Sequence, residues 1–138
     1  MNLYEIFDED KLDESESFTL ELQDGDAKIS FELARAGGDN KKFGTKLNAL
    51  MKPYKYAMQK GTMKDEQAER ILCQALADTV ILGWDGVTDR EGNELEYSTE
   101  TAASLLMELP SLRQMIQDEA SDVANFIAAD REERTGKS

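Results

Sequence analysis

Between Phe18 and Ala34, apolar and polar residues alternate on both sides of a short Asp24-Gly25-Asp26 stretch, and this pattern constrains the fold more than any other part of the chain. Phe18, Leu20 and Leu22 alternate with Thr19 and Glu21, and Ile29, Phe31 and Leu33 alternate with Ser30, Glu32 and Ala34. A period of two marks a half-buried strand, and an Asp-Gly turn supplies the positive φ that tight hairpins need. The segment therefore reads as a β-hairpin whose six large apolar residues share one face. Two strands alone are marginal in water, so that face has to lie against helices.

Gly37-Gly38 breaks the second strand, and Asp39 or Asn40 can cap a helix in which Phe43, Leu47, Leu50, Met51, Tyr54 and Met58 recur at helical spacing. At 100° per residue these six fall within an arc of about 100°. Pro53 lacks an amide hydrogen and crowds the preceding turn, so it should kink or restart this helix. After Gly61 a second helix is expected from about Lys64 to Gly83, with Asp65 and Glu66 near its positive end and Ala68, Ile71, Leu72, Ala75, Leu76, Thr79 and Leu82 on its apolar arc. Gly83 and Gly86 bracket Trp84, placed by this reading at a helix end, and a polar loop through Asp89, Gly92 and Asn93 with a turn or small hairpin follows.

Ser98 or Thr99 caps a third helix carrying Ala103, Leu106, Met107 and Leu109, which Pro110 stops. Pro110 or Ser111 opens a fourth, whose buried stripe is Leu112, Met115, Ile116, Ala120, Val123, Ala124 and Ile127. Met51, Met58, Met107 and Met115 all fall on apolar faces and are expected in the core, although methionine also suits a surface that adapts to a partner. The fold class is thus α+β, mainly α: an N-terminal β-hairpin packed on a bundle of about four helices. The organisation is an acidic mobile leader over 1–15, a single globular domain over 16–129 and a polar tail over 130–138.

Composition fits that plan. Of 138 residues, 40% are apolar and 33% charged, enough for one domain with a sizeable core. The only cysteine, Cys73, lies in an apolar run, so an intrachain disulfide is impossible and a reducing compartment is expected. No stretch approaches the roughly 18 apolar residues of a membrane span. The acidic start, with Glu5, Asp8, Glu9 and Asp10, is unlike a basic signal peptide, so the protein is expected to stay where it is made, with no membrane partner.

Net charge is −13, from 29 acidic and 16 basic residues, a field that repels phosphate backbones, so nucleic acid is not an expected partner. The charge is segregated. Residues 1–38 hold 3 basic and 11 acidic groups, 39–63 hold 6 and 1, and 64–138 hold 7 and 17. The basic island is a single face, with Lys41, Lys42, Lys46, Lys52, Lys55 and Lys60 on the helix surface left over by the apolar stripe. A solvated helix face is the simplest reading; the functional one is a landing surface for an acidic partner helix or the acidic flanks of a second copy. Trp84 reads first as a core or rim residue closing the domain and second as a binding anchor.

Histidine is absent, which removes Ser-His, Cys-His and His-metal chemistry together. Asp85, Asp89, Glu91, Glu94 and Glu96 are carboxylates in a polar loop, where solvation keeps them ionised and unfit as general acids. The same loop fails as a calcium site: with Gly92 at the sixth position of an EF-hand loop, Val87 and Ser98 fall at the two end ligands. No phosphate loop is present either, so no catalytic residue, cofactor or metal is expected.

Four blocks in order carry a family likeness: FTLELQDGDAKISFELAR, GGDNKKFGTKLNALMKPYK, ILCQALADTVILGWDGVTDREGNELEYS and ETAASLLMELPSLRQMIQDEASDVANFI. Over about residues 16 to 138 the chain resembles tail assembly chaperones of long-tailed bacteriophages. The most specific part runs from Gly83-Trp84 through Asp-Arg-Glu-Gly and Tyr97-Ser98 to Leu109-Pro110 and Asn125-Phe126. The leader MNLYEIFDEDKLDESE departs from the family in its acidity.

The resemblance implies a non-enzymatic protein of the host cytoplasm, absent from the mature virion. Such a protein binds and solubilises the tape measure protein, helps tail tube protein assemble around it and self-associates. The family is often also made in a longer, frameshifted form. By residue type and resemblance together, the expected partner-binding positions are Lys42, Lys46, Lys52, Lys55, Phe43, Leu47, Tyr54 and Trp84. Two rivals are weighed: an acidic phage inhibitor of a host protein that mimics DNA, which the lysine face opposes, and a structural tail subunit, which would be found in purified virions.

Overall fold

The computed structural model describes residues 17–37 and 40–127; the leader, the tail and the Gly38-Asp39 step of the expected strand break and cap lie outside the described residues. The hairpin forms as its alternation dictates. Strands β1 (Ser17–Asp24) and β2 (Ala27–Ala34) pair antiparallel with Phe18 opposite Leu33, Leu20 opposite Phe31 and Leu22 opposite Ile29. The two residues between them are Gly25 and Asp26, and Gly25 alone takes positive φ, at 62°, the pattern of a tight turn with glycine first. On the opposite face the Thr19 hydroxyl donates to the Glu32 carboxylate across the ladder at 2.6 Å.

Pro53 acts as expected. Helix α1 (Lys42–Met51) tightens into a 3₁₀ turn over Lys52–Tyr54 with the proline in its first turn, and α2 (Lys55–Lys60) resumes until Gly61 closes it at φ 71°. The N-cap position is Lys41, one residue past the expected Asn40, whose side-chain oxygen still accepts from the Lys42 amide at 3.1 Å. Helix α3 (Asp65–Thr79) follows, opened by Asp65 and Glu66 in its first turn and by the Gln67 side chain accepting from the Lys64 amide at 3.2 Å.

Here the structure corrects the sequence reading. Helix α3 stops at Thr79, not Gly83, and Ile81–Asp85 form a third strand, β3, antiparallel to β2, so the sheet order is β1-β2-β3. Three consecutive β-branched residues, Thr79-Val80-Ile81, favour extended chain over helix. The outer edge of β2 supplies unpaired backbone groups that reward a strand there. Leu82, expected on the helix stripe, is half exposed, while Ile81 is buried opposite Leu33. Gly86 ends β3 at φ 80°, and a Cβ there would collide with the Lys28 carbonyl oxygen, so only glycine fits the close approach of the hairpin.

The loop after β3 contains the expected small hairpin, bridged between Thr88 and Glu94. Ser98 caps α4 (Thr99–Glu108) through its hydroxyl, which accepts from the Thr101 amide at 3.0 Å, and Pro110 starts α5 (Pro110–Ser121). The fourth helix expected to reach Ile127 instead ends at Ser121. Asp122 leaves helical geometry and its carboxylate accepts from the Ala124 amide at 3.0 Å, capping a separate helical turn over 123–127.

One core joins these elements. Phe18, Phe31 and Leu33 from the sheet meet Cys73, Leu76 and Ala77 of α3, Val80 just after it, Ala102 and Leu106 of α4, Ile116 and Ala120 of α5, and Phe126. Phe126 is fully buried and sits edge-on to Phe18 at 4.9 Å between ring centroids. Small residues at Cys73, Ala77 and Ala102 let α3 and α4 approach closely. Two methionines expected inside are outside: Met58 and Met115 are 44% and 41% exposed, and Leu109 and Ala124 also face solvent. Replacing Ile116 or Leu76 by alanine should cost about 2–5 kcal/mol in urea denaturation, whereas Met115→Ala should stay within about 0.5 kcal/mol of the parent.

Candidate functional site

Helix α1, the 3₁₀ turn and α2 form a continuous arm that contributes no fully buried residue to the core. This is unusual for a segment with such a regular apolar stripe, and the reason is geometric. The arm's main contact with α3 is made by α1, half-buried Phe43 packs at the edge of the core, and the other stripe residues Leu47, Leu50, Met51, Tyr54 and Ala57 are only half covered while Met58 is exposed. Lys41, Lys42, Lys52, Lys55 and Lys60 are exposed beside them. Tyr56 is 66% exposed, with the Lys60 ammonium 5.6 Å from its ring centre.

Lys46 is different. Its ammonium lies 3.3 Å from the Asp78 carboxylate of α3, which also accepts from the Gln74 amide group at 2.8 Å. Among the described residues it is the one lysine of the arm that pairs with a carboxylate, and it ties the arm to the body. Asp78 was missed in the sequence although a signal existed: it is the only acid between Glu69 and Asp85, in an otherwise apolar run, and such a carboxylate needs a cation. Beside this ion pair is an open cleft of about 570 Å³ lined by Asn40, Lys41, Lys42, Thr45, Lys46, Ala49 and Thr79. Its walls mix lysine heads with the apolar stems of the same side chains.

The structure therefore brings Lys42, Phe43, Lys46, Leu47, Lys52, Tyr54 and Lys55 onto one arm and sets Trp84 apart from them. Trp84 lies on β3, edge-on to Phe31 at 6.0 Å and Tyr97 at 5.2 Å, and its indole N–H donates to the Leu95 carbonyl at 2.9 Å. The Tyr97 hydroxyl donates to the Ile81 carbonyl at 2.7 Å, and burial first, then the Asp78 charge, raises its pKa above the ordinary phenol value. Trp84 and Tyr97 thus clamp the loop onto the sheet.

The carboxylate loop has a structural use as well. Asp89 accepts from the backbone amides of Glu91 and Asn93, both at 2.9 Å, and the Asn93 bond leads in lowering its pKa below the ordinary carboxylate value. Val87, at the would-be first calcium position, is buried in the core. Among the described residues no group of three or more acidic or cysteine side chains is placed to hold a metal ion, and no helix is long and apolar enough to cross a membrane.

If Lys46 anchors the arm, a double-mutant cycle of Lys46→Ala and Asp78→Ala should give a coupling of at most about 1 kcal/mol, as expected for a half-exposed pair. Lys42→Ala and Lys52→Ala should leave stability unchanged within about 0.5 kcal/mol.

No curated protein and no solved structure matches the chain. Residues 38–137 match the family model described as YdaY prophage protein, a span that opens just before the arm and runs through α3, β3, α4 and α5 into the tail. The chain belongs to the YdaY prophage protein family.

Proposed function

We propose that this prophage protein is a tail assembly chaperone that binds the tape measure protein without catalysis, keeps it soluble in the host cytoplasm and promotes tail tube assembly around it. The observation that carries the reading is the arm. A stripe from Leu50 to Met58 that is neither buried nor polar, bordered by lysines, is a surface suited to an amphipathic helix with acidic flanks. Exposed Met58 and half-buried Met51 add the adaptability that a long, variable client requires. Prophage membership and the resemblance in residue order supply the context. A chain of net charge −13 would keep a hydrophobic client in solution.

On this reading the protein is released before the virion is complete, and the tail tube protein is its second partner. Among the expected binding residues, Lys42, Lys52, Lys55, Tyr54 and half-buried Leu47 offer contact surface, Lys46 holds the arm in place, and Phe43 packs at the edge of the core. Trp84 would act indirectly, by keeping the sheet edge rigid.

The test is co-expression with the tape measure protein of the same prophage. The client should become soluble and co-purify with the parent chain. The full chain carrying Lys42→Glu, Lys52→Glu and Lys55→Glu should lose most of the captured client while its circular dichroism is unchanged. A client that stays insoluble and uncaptured with the parent chain would overturn the proposal.

A further inference from the structure

The arm has a second ligand that matches it in charge and hydrophobic character: the chain's own first sixteen residues. We infer that the segment 1–16 docks on the α1–α2 arm of the same molecule, occupying the stripe and lysines that α3 leaves uncovered. The docking stands apart from any client; that it would compete with a client rests on the function proposed above.

Charge makes the first part of the case. Residues 1–16 carry Glu5, Asp8, Glu9, Asp10, Asp13, Glu14 and Glu16 against a single Lys11, while residues 41–60 carry six lysines and no acidic residue. Complementary potentials of this size favour encounter and orientation when the two segments are tethered together. Apolar content makes the second. Leu3, Tyr4, Ile6 and Phe7 are concentrated before the acidic run, a cluster that is costly to leave in water, and Met51, Tyr54 and Met58 are apolar groups still wanting cover.

The point where the segment joins the fold makes the third. Ser17, the first described residue, is opposite Ala34 in the β1–β2 ladder. The Ala34 amide donates to the Val80 carbonyl at 2.7 Å. Next to Val80 is Thr79, a wall of the cleft that Lys41, Lys42 and Lys46 also line. Ser17, to which segment 1–16 is joined, is therefore two strand spacings from Val80, the neighbour of that wall.

Its linear order fits as well. The run Asp8–Glu16 is nearest the cleft and its lysines, and the apolar cluster is some ten residues out, a reach of roughly 33 Å in extended chain. From Lys42 to Met58 the helical arm measures roughly 24 Å. An intramolecular segment on a short tether acts at an effective concentration on the order of millimolar, so even a weak pairing suffices to fill the face.

Zero-length carbodiimide cross-linking of the full chain, read by mass spectrometry on an equimolar mixture of ¹⁴N- and ¹⁵N-labelled protein, tests the inference. Expected are amide bonds between carboxylates of residues 5–16 and Lys42, Lys52 or Lys55, almost all within one isotopic label. The full-chain variant Tyr4→Ser/Ile6→Ser/Phe7→Ser, whose changes lie outside the described fold, should lower their yield several-fold. It should also raise acetylation of Lys52 and Lys55 by a similar factor. Cross-links that mix the two labels in the statistical proportion would overturn the inference in favour of a second copy as the occupant. Absence of these cross-links, or a yield the variant leaves unchanged, would overturn it outright.

Discussion

β2 has neighbours on both edges and a core beneath it, and the other elements take their places from it. On one side β1 is paired along its whole length; on the other, the Ala34 amide reaches the Val80 carbonyl and β3 continues the ladder from Ile81. Phe31 and Leu33 project from the strand and are essentially inaccessible, each worth about 1.5–3 kcal/mol of transfer free energy. Just beyond the strand, the Ala36 amide donates to the Ala120 carbonyl at the end of α5. The strand thus fixes where α3 must end, where α5 must arrive and where Phe126 can reach Phe18.

That central demand explains which parts of the fold could be read from sequence. The hairpin, the break at Pro53, the Ser98 cap and the Pro110 boundary are local: each depends on a turn, a missing amide or a capping oxygen within a few residues. β3 is not local. The run Val80-Ile81-Leu82 fits the stripe of the preceding helix as well as a strand, and only the unpaired edge of β2, some fifty residues earlier, decides between them. The same holds for Asp122, a polar residue in mid-stripe whose capping of a new turn is favoured because that turn delivers Phe126 to Phe18.

The candidate site was legible for the opposite reason. An apolar stripe and a lysine face on one helix are read directly from spacing, so the arm was identified at once. What sequence could not give is how much of the stripe α3 covers. No stripe residue is fully buried and Met58 is exposed, and that shortfall, more than the stripe itself, separates a docking surface from a piece of core. Lys46 shows the same limit: it belongs to the lysine face by position yet serves the body through Asp78. Trp84 was grouped with the arm by residue type and resemblance, and its position in a cluster with Phe31 and Tyr97 follows from the strand that sequence missed.

A body that is acidic almost everywhere and cationic along one projecting arm separates solubility from recognition. Its surface charge resists aggregation, and the apolar groups left open along the arm are marked by the opposite sign. Hydrogen–deuterium exchange of the chain alone and with the tape measure protein of its prophage tests this most directly. The account predicts slowed amide exchange in peptides spanning residues 42–60, with the sheet and α5 unchanged. Slowing confined to the Trp84 loop or to the α4–α5 surface, with 42–60 unaffected, would contradict it.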